Sequence, residues 1–255
     1  MSRISGRALV TGATAGLGAE FARQLAARGC DLVLVARDEE RLTAFAAELS
    51  STYGSHAEVL RADLSVRADM ERVEARLADA TSPIGVLVNN AGYGLRHSFE
   101  ENPIEVEQAL LDVLVTAPMR LMHAALQPML ARGSGTIVNV ASVAAYTPRS
   151  TYGASKAWVL SFSRWANITY GKRGVTVTAV APGFVHTEFH DRMRVSKGGV
   201  PGVLWLRPAR VVRAALRAAD RGRAVTVPSL RYTALVALSR ILPPRLAAKG
   251  ALRAR

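Results

Sequence analysis

The stretch "TGATAGLG" at residues 11–18 decides the fold; it follows the apolar run "RALV" and precedes a helical pattern. Gly12, Gly16 and Gly18 stand where a strand turns into a helix, and glycines there allow the backbone to approach a ligand closely. Such a turn places a pyrophosphate against main-chain N–H groups at the helix N-terminus. The alternative is a tight turn without a ligand. The position of the glycine-rich turn between a strand and a helix favours the dinucleotide-binding interpretation.

Short apolar runs alternate with amphipathic helical patterns along the rest of the chain. The predicted strands are "RALVTG", "DLVLVAR", "AEVLRAD", "VLVNNAG", "GTIVNVAS", "VTVTAVAPG" and "AVTVP". Near-continuous apolar strands separated by helices are typical of a parallel sheet covered on both faces. We therefore predict one α/β, doubly wound, Rossmann-type sheet of about seven strands. Residues 1–228 form the dinucleotide-binding and catalytic domain, and residues 229–255 form a basic C-terminal helical extension of it.

The composition is that of a globular protein, with 255 residues, 49% hydrophobic and 21% charged. Cys30 is the single cysteine, so no disulfide forms within the chain; a buried, inert thiol is expected. The N-terminus has no apolar core of signal-peptide length, and no run approaches the length of a membrane span. We expect a cytoplasmic protein.

The positive charge is concentrated near the C-terminus. The net charge is +13, and residues 203–255 hold twelve arginines and lysines but one acid, Asp220. Genome composition is one explanation of this arginine bias. The other is attraction to an anionic partner: a phosphorylated cofactor, an acidic carrier protein, a membrane surface or nucleic acid. No groove-reading helix or basic-region motif supports nucleic acid.

The end of the second predicted strand bears on the choice of cofactor. A site for NAD usually places an acid there, about 20 residues beyond the glycines, to bind the ribose 2′-hydroxyl. Here the strand ends with Ala36 and is followed by Arg37 and Asp38. An arginine pairs with a 2′-phosphate, which a carboxylate would repel. This predicts NADP(H) in preference to NAD(H). The alternative is that Arg37 is a solvated loop charge that binds no phosphate. The neighbouring carboxylate of Asp38 also weakens the argument for a 2′-phosphate.

The segment "YGASK" at residues 152–156 places Tyr152 and Lys156 one helical turn apart on the same face. An ammonium beside a phenol favours the phenolate, so we expect Lys156 to lower the pKa of Tyr152. A tyrosine of that kind passes a proton to a carbonyl oxygen near neutral pH. Tyr-x-x-x-Lys also occurs on ordinary helices, so its significance depends on the other motifs.

Six motifs occur in a fixed order: "TGATAGLG", "ADL" at 62–64, "NNAG" at 89–92, "VNVAS" at 138–142, "YGASK", and "PGFVHT" at 182–187. Together they resemble the short-chain dehydrogenase/reductase family over about Arg7 to Pro228, most of all its bacterial NADP-linked ketone and ketoacyl reductases. The resemblance implies an oxidoreductase that moves a hydride between NADP(H) and a small-molecule carbonyl or secondary alcohol. It also implies a homodimer or homotetramer.

The resemblance implies catalytic roles for three residues. Tyr152 would be the general acid in ketone reduction, or the base in alcohol oxidation. Lys156 would hold the nicotinamide ribose and lower the pKa of the tyrosine. Ser142 would hydrogen-bond the substrate oxygen.

The resemblance also implies the cofactor contacts. Asp63 would contact the adenine, Asn89 and its neighbours would form the floor beneath the adenine ribose, and Thr187 with the Val185 backbone would hold the carboxamide. The implied cofactor-binding residues are Gly12, Thr14, Gly16, Leu17, Gly18, Arg37, Asp63, Asn89, Ala91, Gly92, Tyr152, Lys156, Pro182, Gly183, Val185 and Thr187.

Two features depart from the family pattern. In "LLDVLVTAP", Leu114 stands where the family carries an asparagine that holds a water in a proton relay to the lysine. A leucine side chain forms no hydrogen bond, so that relay is rerouted, slowed or absent, and Asp112 points to a different helical face. The second departure is the segment between Ser142 and Tyr152, which is shorter than usual. It either turns tightly and brings both hydroxyls to one carbonyl, or leaves Ser150 or Thr151 facing the substrate.

The resemblance implies that the segment after "PGFVHT" selects the substrate. Its apolar candidates are Phe184, Phe189, Met193, Val203, Leu204 and Trp205, its candidate hinges are Gly198, Gly199 and Gly202, and Tyr93, His97 and Tyr146 are further candidates. The tail carries Leu235, Leu238 and Leu242 on one helical stripe. That stripe packs over its own pocket or a neighbouring subunit, or it lies on a membrane surface.

The leading hypothesis is an NADPH-dependent short-chain reductase of a ketoreductase type, acting on an apolar or acyl-like substrate. A basic C-terminus would suit an acyl carrier or a membrane surface as a further partner. The alternative is an NADP(H)-binding sensor or scaffold of the same fold with little turnover. The histidines lack metal-ligand spacing with cysteines or acids, so we predict no metal.

Overall fold

Consecutive apolar residues in the strands are buried because both faces of one parallel sheet are covered. The computed structural model describes residues 4–188 and 201–243. Its sheet has the strand order β3-β2-β1-β4-β5-β6-β7, with every neighbouring pair parallel. The strands are β1 Arg7–Thr11, β2 Asp31–Ala36, β3 Ala57–Arg61, β4 Ile84–Asn89, β5 Gly135–Val140, β6 Val175–Val180 and β7 Val225–Thr226. The predicted doubly wound α/β sheet is confirmed.

Helices connect the strands and cover both faces. They are α1 Gly16–Ala26, α2 Glu39–Tyr53, α3 Arg67–Ala78, α4 Ile104–Leu111, α5 Ala117–Arg132, α6 Ser150–Gly171, α7 Pro208–Asp220 and α8 Leu230–Ile241. Two short 3₁₀ turns matter for the site, Val143–Tyr146 after β5 and Gly202–Leu204 before α7. Since each strand is parallel to its neighbours, all the strand C-termini meet at one edge of the sheet.

Side-chain alternation in the strands divides the core between the two faces. Val10 packs with Phe21 of α1 and Leu216 of α7 on one face, whereas its neighbour Leu9 packs with Leu121 of α5 on the other. Cys30 belongs to the first core and is fully buried, and that burial raises the pKa of its thiol. The chemistry of an exposed thiol is therefore suppressed there.

A π turn, Asp112–Thr116, joins α4 and α5 into one continuous helix, Ile104–Arg132. By length and composition alone this helix is long and apolar enough to cross a membrane, so the expectation that no stretch approaches that size was wrong. A core helix of a soluble protein passes the same test, and Leu110, Leu121 and Met129 are buried in the core of this domain. The helix is thus weak evidence for a membrane.

Candidate active site

A cleft of about 1700 Å³ runs along the edge where the strand C-termini meet. It opens where β1 pairs with β2 on one side and β4 on the other, which is the position where open α/β sheets bind ligands. Of the predicted site residues, the cleft is lined by Gly12, Thr14, Gly16, Leu17, Arg37, Asp63, Ala91, Gly92, Ser142, Tyr152, Lys156, Pro182, Gly183, Val185 and Thr187. Gly18 and Asn89 are not among the lining residues.

The glycine turn between β1 and α1 forms the cradle expected for a pyrophosphate. Gly12 and Gly16 have φ angles of 65° and 55°, which favour glycine. A Cβ on Gly12 would lie 2.9 Å from the Asn90 amide nitrogen, and one on Gly16 would lie 3.2 Å from the Thr187 Cβ. No side chain caps the N-terminus of α1. A side chain at either position would crowd its neighbours, so only glycine lets this backbone line the cleft beside helix N–H groups that no side chain caps.

Gly18 has a packing role in this turn. A Cβ on Gly18 would lie 2.1 Å from the carbonyl oxygen of Gly12, which real structures do not tolerate. Gly18 is also buried inside the first turn of α1, away from the cleft. Its place in the cofactor site stays a prediction; in the structure it allows α1 to pack tightly beneath the turn.

Asn89 is also predicted to contact the cofactor, and that stays a prediction, although its side chain is turned into the protein. As the last residue of β4, its side chain is buried and donates to the Asn139 Oδ1 at 2.9 Å on the neighbouring strand. The cleft residue is Asn90, whose Nδ2 donates to the carbonyls of Thr11 and Gly12 at 2.9 and 3.2 Å. Two adjacent asparagines look equivalent in sequence, and the end of the strand decides which one turns to the cleft.

Two arginines lie at the end of the cleft beyond β2. The Arg37 side chain is 72% exposed, and its guanidinium is 3.9 Å from the Asp63 carboxylate. Arg41, which the sequence analysis missed, donates to the Thr14 carbonyl at 3.3 Å and lies 3.4 Å from Glu188. Asp38 accepts from the Arg41 backbone N–H at 3.0 Å and so caps α2. The Asp38 carboxylate therefore caps the helix, and each of the two arginines lies beside another acid, Asp63 or Glu188.

The catalytic candidates meet at the other end, where β5 gives way to α6. Lys156 is buried, and its Nζ donates to the Val140 carbonyl at 2.7 Å. The same Nζ lies 5.7 Å from the centre of the Tyr152 ring. The Ser142 hydroxyl accepts from the Ala144 N–H at 3.1 Å and is hydrogen-bonded to Tyr152. A tyrosine, a serine and a lysine therefore converge on one side of the cleft.

The electrostatics of this group correct one expectation. Burial raises the pKa of Tyr152 to about 12, and the Ser142 hydrogen bond only partly opposes the rise. Burial also lowers the pKa of Lys156 to about 8. The expected net lowering of the tyrosine pKa was wrong in direction, because desolvation opposes the charged form of the phenol and outweighs the interactions that favour it. Tyr152 is consequently a protonated hydrogen-bond donor at neutral pH.

The short segment between Ser142 and Tyr152 folds compactly enough to bring the two hydroxyls together. It forms the 3₁₀ turn Val143–Tyr146, and Ser150 then takes a left-handed φ of 56° at the start of α6. Gly153 lets this turn pack closely on α6, since a Cβ there would lie 3.2 Å from the Ala144 carbonyl. Ser150 also lines the cleft, but Ser142 is the residue hydrogen-bonded to Tyr152.

Leu114 lies on the π turn, near Lys156. Its side chain is 1% exposed, and its Cδ2 lies 2.7 Å from the point where Gly92 would carry a Cβ; the Lys156 Nζ is 3.8 Å from that point. The Asp112 carboxylate accepts instead from Gln108 and Thr116, at 3.1 and 3.4 Å. An apolar side chain thus occupies the neighbourhood of the ammonium, and Asp112 is held elsewhere.

The segment after β6 closes the middle of the cleft. Val185 pairs with Leu206 in a parallel bridge, and Thr187 packs on Gly16 of the glycine turn. The Tyr232 hydroxyl, a further residue that the sequence analysis missed, accepts from the Phe184 N–H at 3.0 Å. The backbone of the predicted carboxamide-binding residues is therefore fixed from both sides.

The predicted substrate residues divide into three groups. Phe184, Leu204, Tyr93 and His97 line the cleft, whereas Val203, Trp205 and Tyr146 do not; Trp205 packs against Phe184 and stacks on His186. Phe189, Met193, Gly198 and Gly199 lie outside the described residues. Leu235, Leu238 and Leu242 line the catalytic end, so the tail helix packs over its own pocket. Residues 244–255, which carry much of the basic tail, are also outside the described part.

Within residues 4–188 and 201–243, no group of three or more histidine, cysteine, aspartate or glutamate side chains is placed to hold a metal ion. The expectation of a metal-free site stays a prediction.

Comparison with known proteins agrees with this geometry. The sequence profile of the short chain dehydrogenase family matches residues 7–197. A short-chain dehydrogenase from Sphingobium yanoikuyae, solved in complex with NADPH, is 37% identical with a TM-score of 0.85, and 98% of this chain and 97% of that chain are covered. The bulky-bulky ketone specific alcohol dehydrogenase from Comamonas testosteroni is 34% identical, with a TM-score of 0.80 and coverage of 98% and 96%.

A curated relative extends the comparison to acyl substrates. The very-long-chain 3-oxoacyl-CoA reductase of Anas platyrhynchos is 34% identical over 219 residues, which cover 82% of this chain and 67% of that protein. The family profile, the seven-stranded sheet and the cleft with its glycine turn and Tyr152–Lys156 pair all agree. The chain belongs to the short-chain dehydrogenase family of oxidoreductases.

Proposed function

We propose that the protein is an NADPH-dependent reductase of ketones, with an apolar or acyl-like substrate. The observation that carries the proposal is the hydrogen bond between Ser142 and Tyr152 in a cleft that continues to the glycine turn. Binding a nucleotide does not require a buried phenol paired with a serine hydroxyl. A carbonyl that accepts two hydrogen bonds as it gains negative charge does require such a pair.

The residues present fit a nicotinamide dinucleotide. The glycine turn would hold the pyrophosphate, Asp63 and the Ala91–Gly92 backbone would lie along the adenosine, and Val185 and Thr187 would hold the carboxamide. When bound, the nicotinamide supplies a hydride to the carbonyl carbon. The chain's own residues then stabilise and protonate the carbonyl oxygen.

Tyr152 supplies the proton in this mechanism. Its raised pKa keeps it protonated at neutral pH, so it is ready to donate to the growing oxyanion, and Ser142 stabilises the same oxygen. The Lys156 ammonium, charged below its pKa of about 8, would bind the nicotinamide ribose and stabilise the phenolate left after transfer. The arrangement favours reduction near neutral pH, where Tyr152 is protonated and Lys156 is charged.

Arg37 and Arg41 support NADP(H) over NAD(H). Both guanidinium groups line the end of the cleft beyond β2, where no acid ends the strand. A 2′-phosphate would compete for Arg37 with Asp63, whose contact at 3.9 Å is long and exposed. The NADPH complex of the similar Sphingobium protein supports the same choice.

A second candidate, a nucleotide-binding sensor with little turnover, is favoured by Leu114. This leucine places apolar surface beside the Lys156 ammonium, so no side-chain hydrogen bond from that position helps proton return to the lysine. Ligand binding would be unaffected, and catalysis would be slow.

Self-association as a homodimer or homotetramer is part of the proposal. Helix α6 exposes Trp165 and Ile168, which are 51% and 76% accessible, and α5 exposes Met119 at 44%. Exposed apolar side chains of this size on packed helices favour a protein partner. Sedimentation of the Ile168→Asp variant beside wild type tests it: we expect a smaller species for the variant.

A cytoplasmic location also stays a proposal.

The function is tested by NADPH consumption with the purified protein. Aliphatic ketones, diketones and β-ketoacyl thioesters are each offered with NADPH and, separately, with NADH. We expect turnover with at least one ketone class and a preference for NADPH. Micromolar NADPH affinity with no turnover on any carbonyl would replace the reductase with the sensor.

A further inference from the structure

Helix α8 forms one wall of the catalytic end of the cleft. It packs against the 3₁₀ turn Val143–Tyr146, which directly follows Ser142. Its cleft-facing residues are Tyr232, Leu235, Val236, Leu238, Ser239 and Leu242. The wall therefore lies next to the hydroxyls proposed to hold the substrate oxygen.

The leucines of this wall differ from the other apolar residues of the same helix. Leu235 and Leu238 are 46% and 53% exposed although they face the cleft, whereas Val236 is buried. Phe184 and Leu204 continue the apolar surface across the cleft. A concave apolar surface of this kind gains free energy when an apolar ligand covers it.

Tyr232 fixes the wall relative to the cofactor segment. Its hydroxyl accepts from the Phe184 N–H at 3.0 Å and donates to the Leu204 carbonyl at 2.9 Å. Its ring lies directly over Gly183, where a Cβ would come within 1.9 Å of the ring. The Tyr232 side chain, which is 3% exposed, thus connects α8 to the predicted carboxamide-binding segment and to the 3₁₀ turn before α7.

We propose that Leu235 and Leu238 set specificity for a long apolar substituent on the carbonyl, and that Tyr232 is the positioning residue that fixes this wall against the nicotinamide-binding segment. The inference rests on the proposed function, because it assumes that the substrate carbonyl sits at Ser142 and Tyr152. From there, a chain of several carbons that follows the apolar surface reaches the two leucines.

The leucine wall is tested by equilibrium binding, which needs no turnover. The 2-alkanones from 2-butanone to 2-decanone are titrated calorimetrically into protein saturated with NADP⁺, with which a ketone cannot react. In wild type we expect affinity to rise by up to about fourfold per added methylene along the wall. In the Leu235→Ala, Leu238→Ala double variant, 2-decanone binding falls about tenfold and 2-butanone binding changes less than twofold.

The matched control is the Leu230→Ala, Ile241→Ala double variant. These residues lie on the same helix, are 87% and 82% exposed, and do not line the cleft. We expect wild-type affinity for every ketone. Equal losses in the two double variants, or an affinity that does not depend on chain length in wild type, would overturn the inference.

The positioning role is tested with Tyr232→Phe, which keeps the ring over Gly183 and removes the hydroxyl. The control is Thr233→Val, because the Thr233 hydroxyl donates only to the Ser229 carbonyl of its own helix, at 3.0 Å. We expect Tyr232→Phe to weaken both NADPH and 2-decanone binding by about threefold or more, at a temperature well below its melting midpoint. A lower Tm with both affinities intact would make Tyr232 merely structural and would overturn its role.

The proposed function and this inference fail separately. Wild-type protein that binds 2-decanone along the leucine wall but oxidises no NADPH with any ketone would contradict the reductase and leave the wall in place. Protein that reduces ketones with equal efficiency at every chain length would leave the reductase in place and contradict the wall.

Discussion

The two ends of the cleft are formed by different kinds of chemical group. At the cofactor end, Gly12 and Gly16 expose backbone N–H groups, and the charged groups, Arg37 and Arg41, are open to solvent. At the catalytic end, Tyr152 and Lys156 are desolvated side chains whose pKa values are shifted in opposite directions by burial. Binding thus depends on backbone shape, and chemistry depends on burial. Changes at the two ends should therefore have separable effects.

Apart from the loss of the Tyr152 hydroxyl, the largest expected separation is Lys156→Met, which removes the buried charge. We expect ketone reduction to fall by about a hundredfold or more, because the ammonium that stabilises the phenolate is lost. The same change should raise the free energy of unfolding by about 1–2 kcal/mol at pH 7, because a methionine is buried without desolvating a charge. This net gain already includes the cost of leaving the Val140 carbonyl without its hydrogen-bond donor. Thermal melting and initial rates, measured together, check both effects.

The pH dependence of that stability gain follows from the lysine pKa. In the folded protein the pKa is about 8, below its ordinary value of 10.5, so at pH values between them the unfolded chain binds more protons than the folded one. Wild-type stability should therefore rise from pH 8 to 10.5, and the advantage of Lys156→Met should be full below pH 8 and shrink above it. A gain that grows with pH would contradict the account.

The next largest effect is expected at the cofactor end, from Gly18→Ala. The added methyl would meet the Gly12 carbonyl, so the turn must shift and the pyrophosphate cradle is distorted. We expect NADPH binding, followed by its fluorescence, to weaken by about tenfold or more. Gly171→Ala on α6 is the control, because nothing lies near its added Cβ. Wild-type affinity in Gly18→Ala would remove the structural role assigned to that glycine.

A smaller and more selective effect is expected from Arg37→Ser. Losing one exposed, charge-assisted contact should weaken NADPH binding by about five- to tenfold and leave NADH binding within twofold. Raising the salt concentration should narrow the difference between wild type and variant, because the guanidinium is exposed. Equal losses for the two cofactors would mean that Arg37 does not contact the 2′-phosphate.

The smallest change in rate is expected from Leu114→Asn. The amide adds a hydrogen-bonding group near Lys156 but loses the packing of a buried leucine on Gly92. We expect a rise in reduction rate of up to about threefold, with Tm lowered by several degrees. A rise of a hundredfold or more would mean that the wild-type chain is a sensor whose catalysis Leu114 suppresses.

Many of the residues at both ends of the cleft could be predicted from sequence, because a tight turn or a shared helical face requires particular residues at particular spacings. Glycines at a strand-to-helix turn, and Tyr152 four residues before Lys156 on a helix, are local patterns, and their placement was predicted correctly. The seven strands follow from near-continuous apolar runs. Local spacing also identified the stripe of Leu235, Leu238 and Leu242, but only the structure places that stripe at the cleft.

Local patterns do not reveal properties that arise only in the folded chain. The sign of the Tyr152 pKa shift depends on how much burial surrounds the phenol, and a spacing rule carries no information about burial. Asn89 and Asn90 differ only in which of them ends β4. Arg41 and Tyr232 reach the cleft through contacts with residues far away in sequence, with Glu188 and Phe184 respectively. Long-range contacts of this kind have no local sequence signal.

The most direct test of the central claim is Tyr152→Phe, measured for NADPH affinity and for ketone-dependent NADPH oxidation in the same preparation. The account predicts affinity within about threefold of wild type and turnover reduced by about a thousandfold, because the phenol is the proton donor and only a minor part of the cofactor site. Turnover within tenfold of wild type would contradict it, since another group would then protonate the carbonyl oxygen.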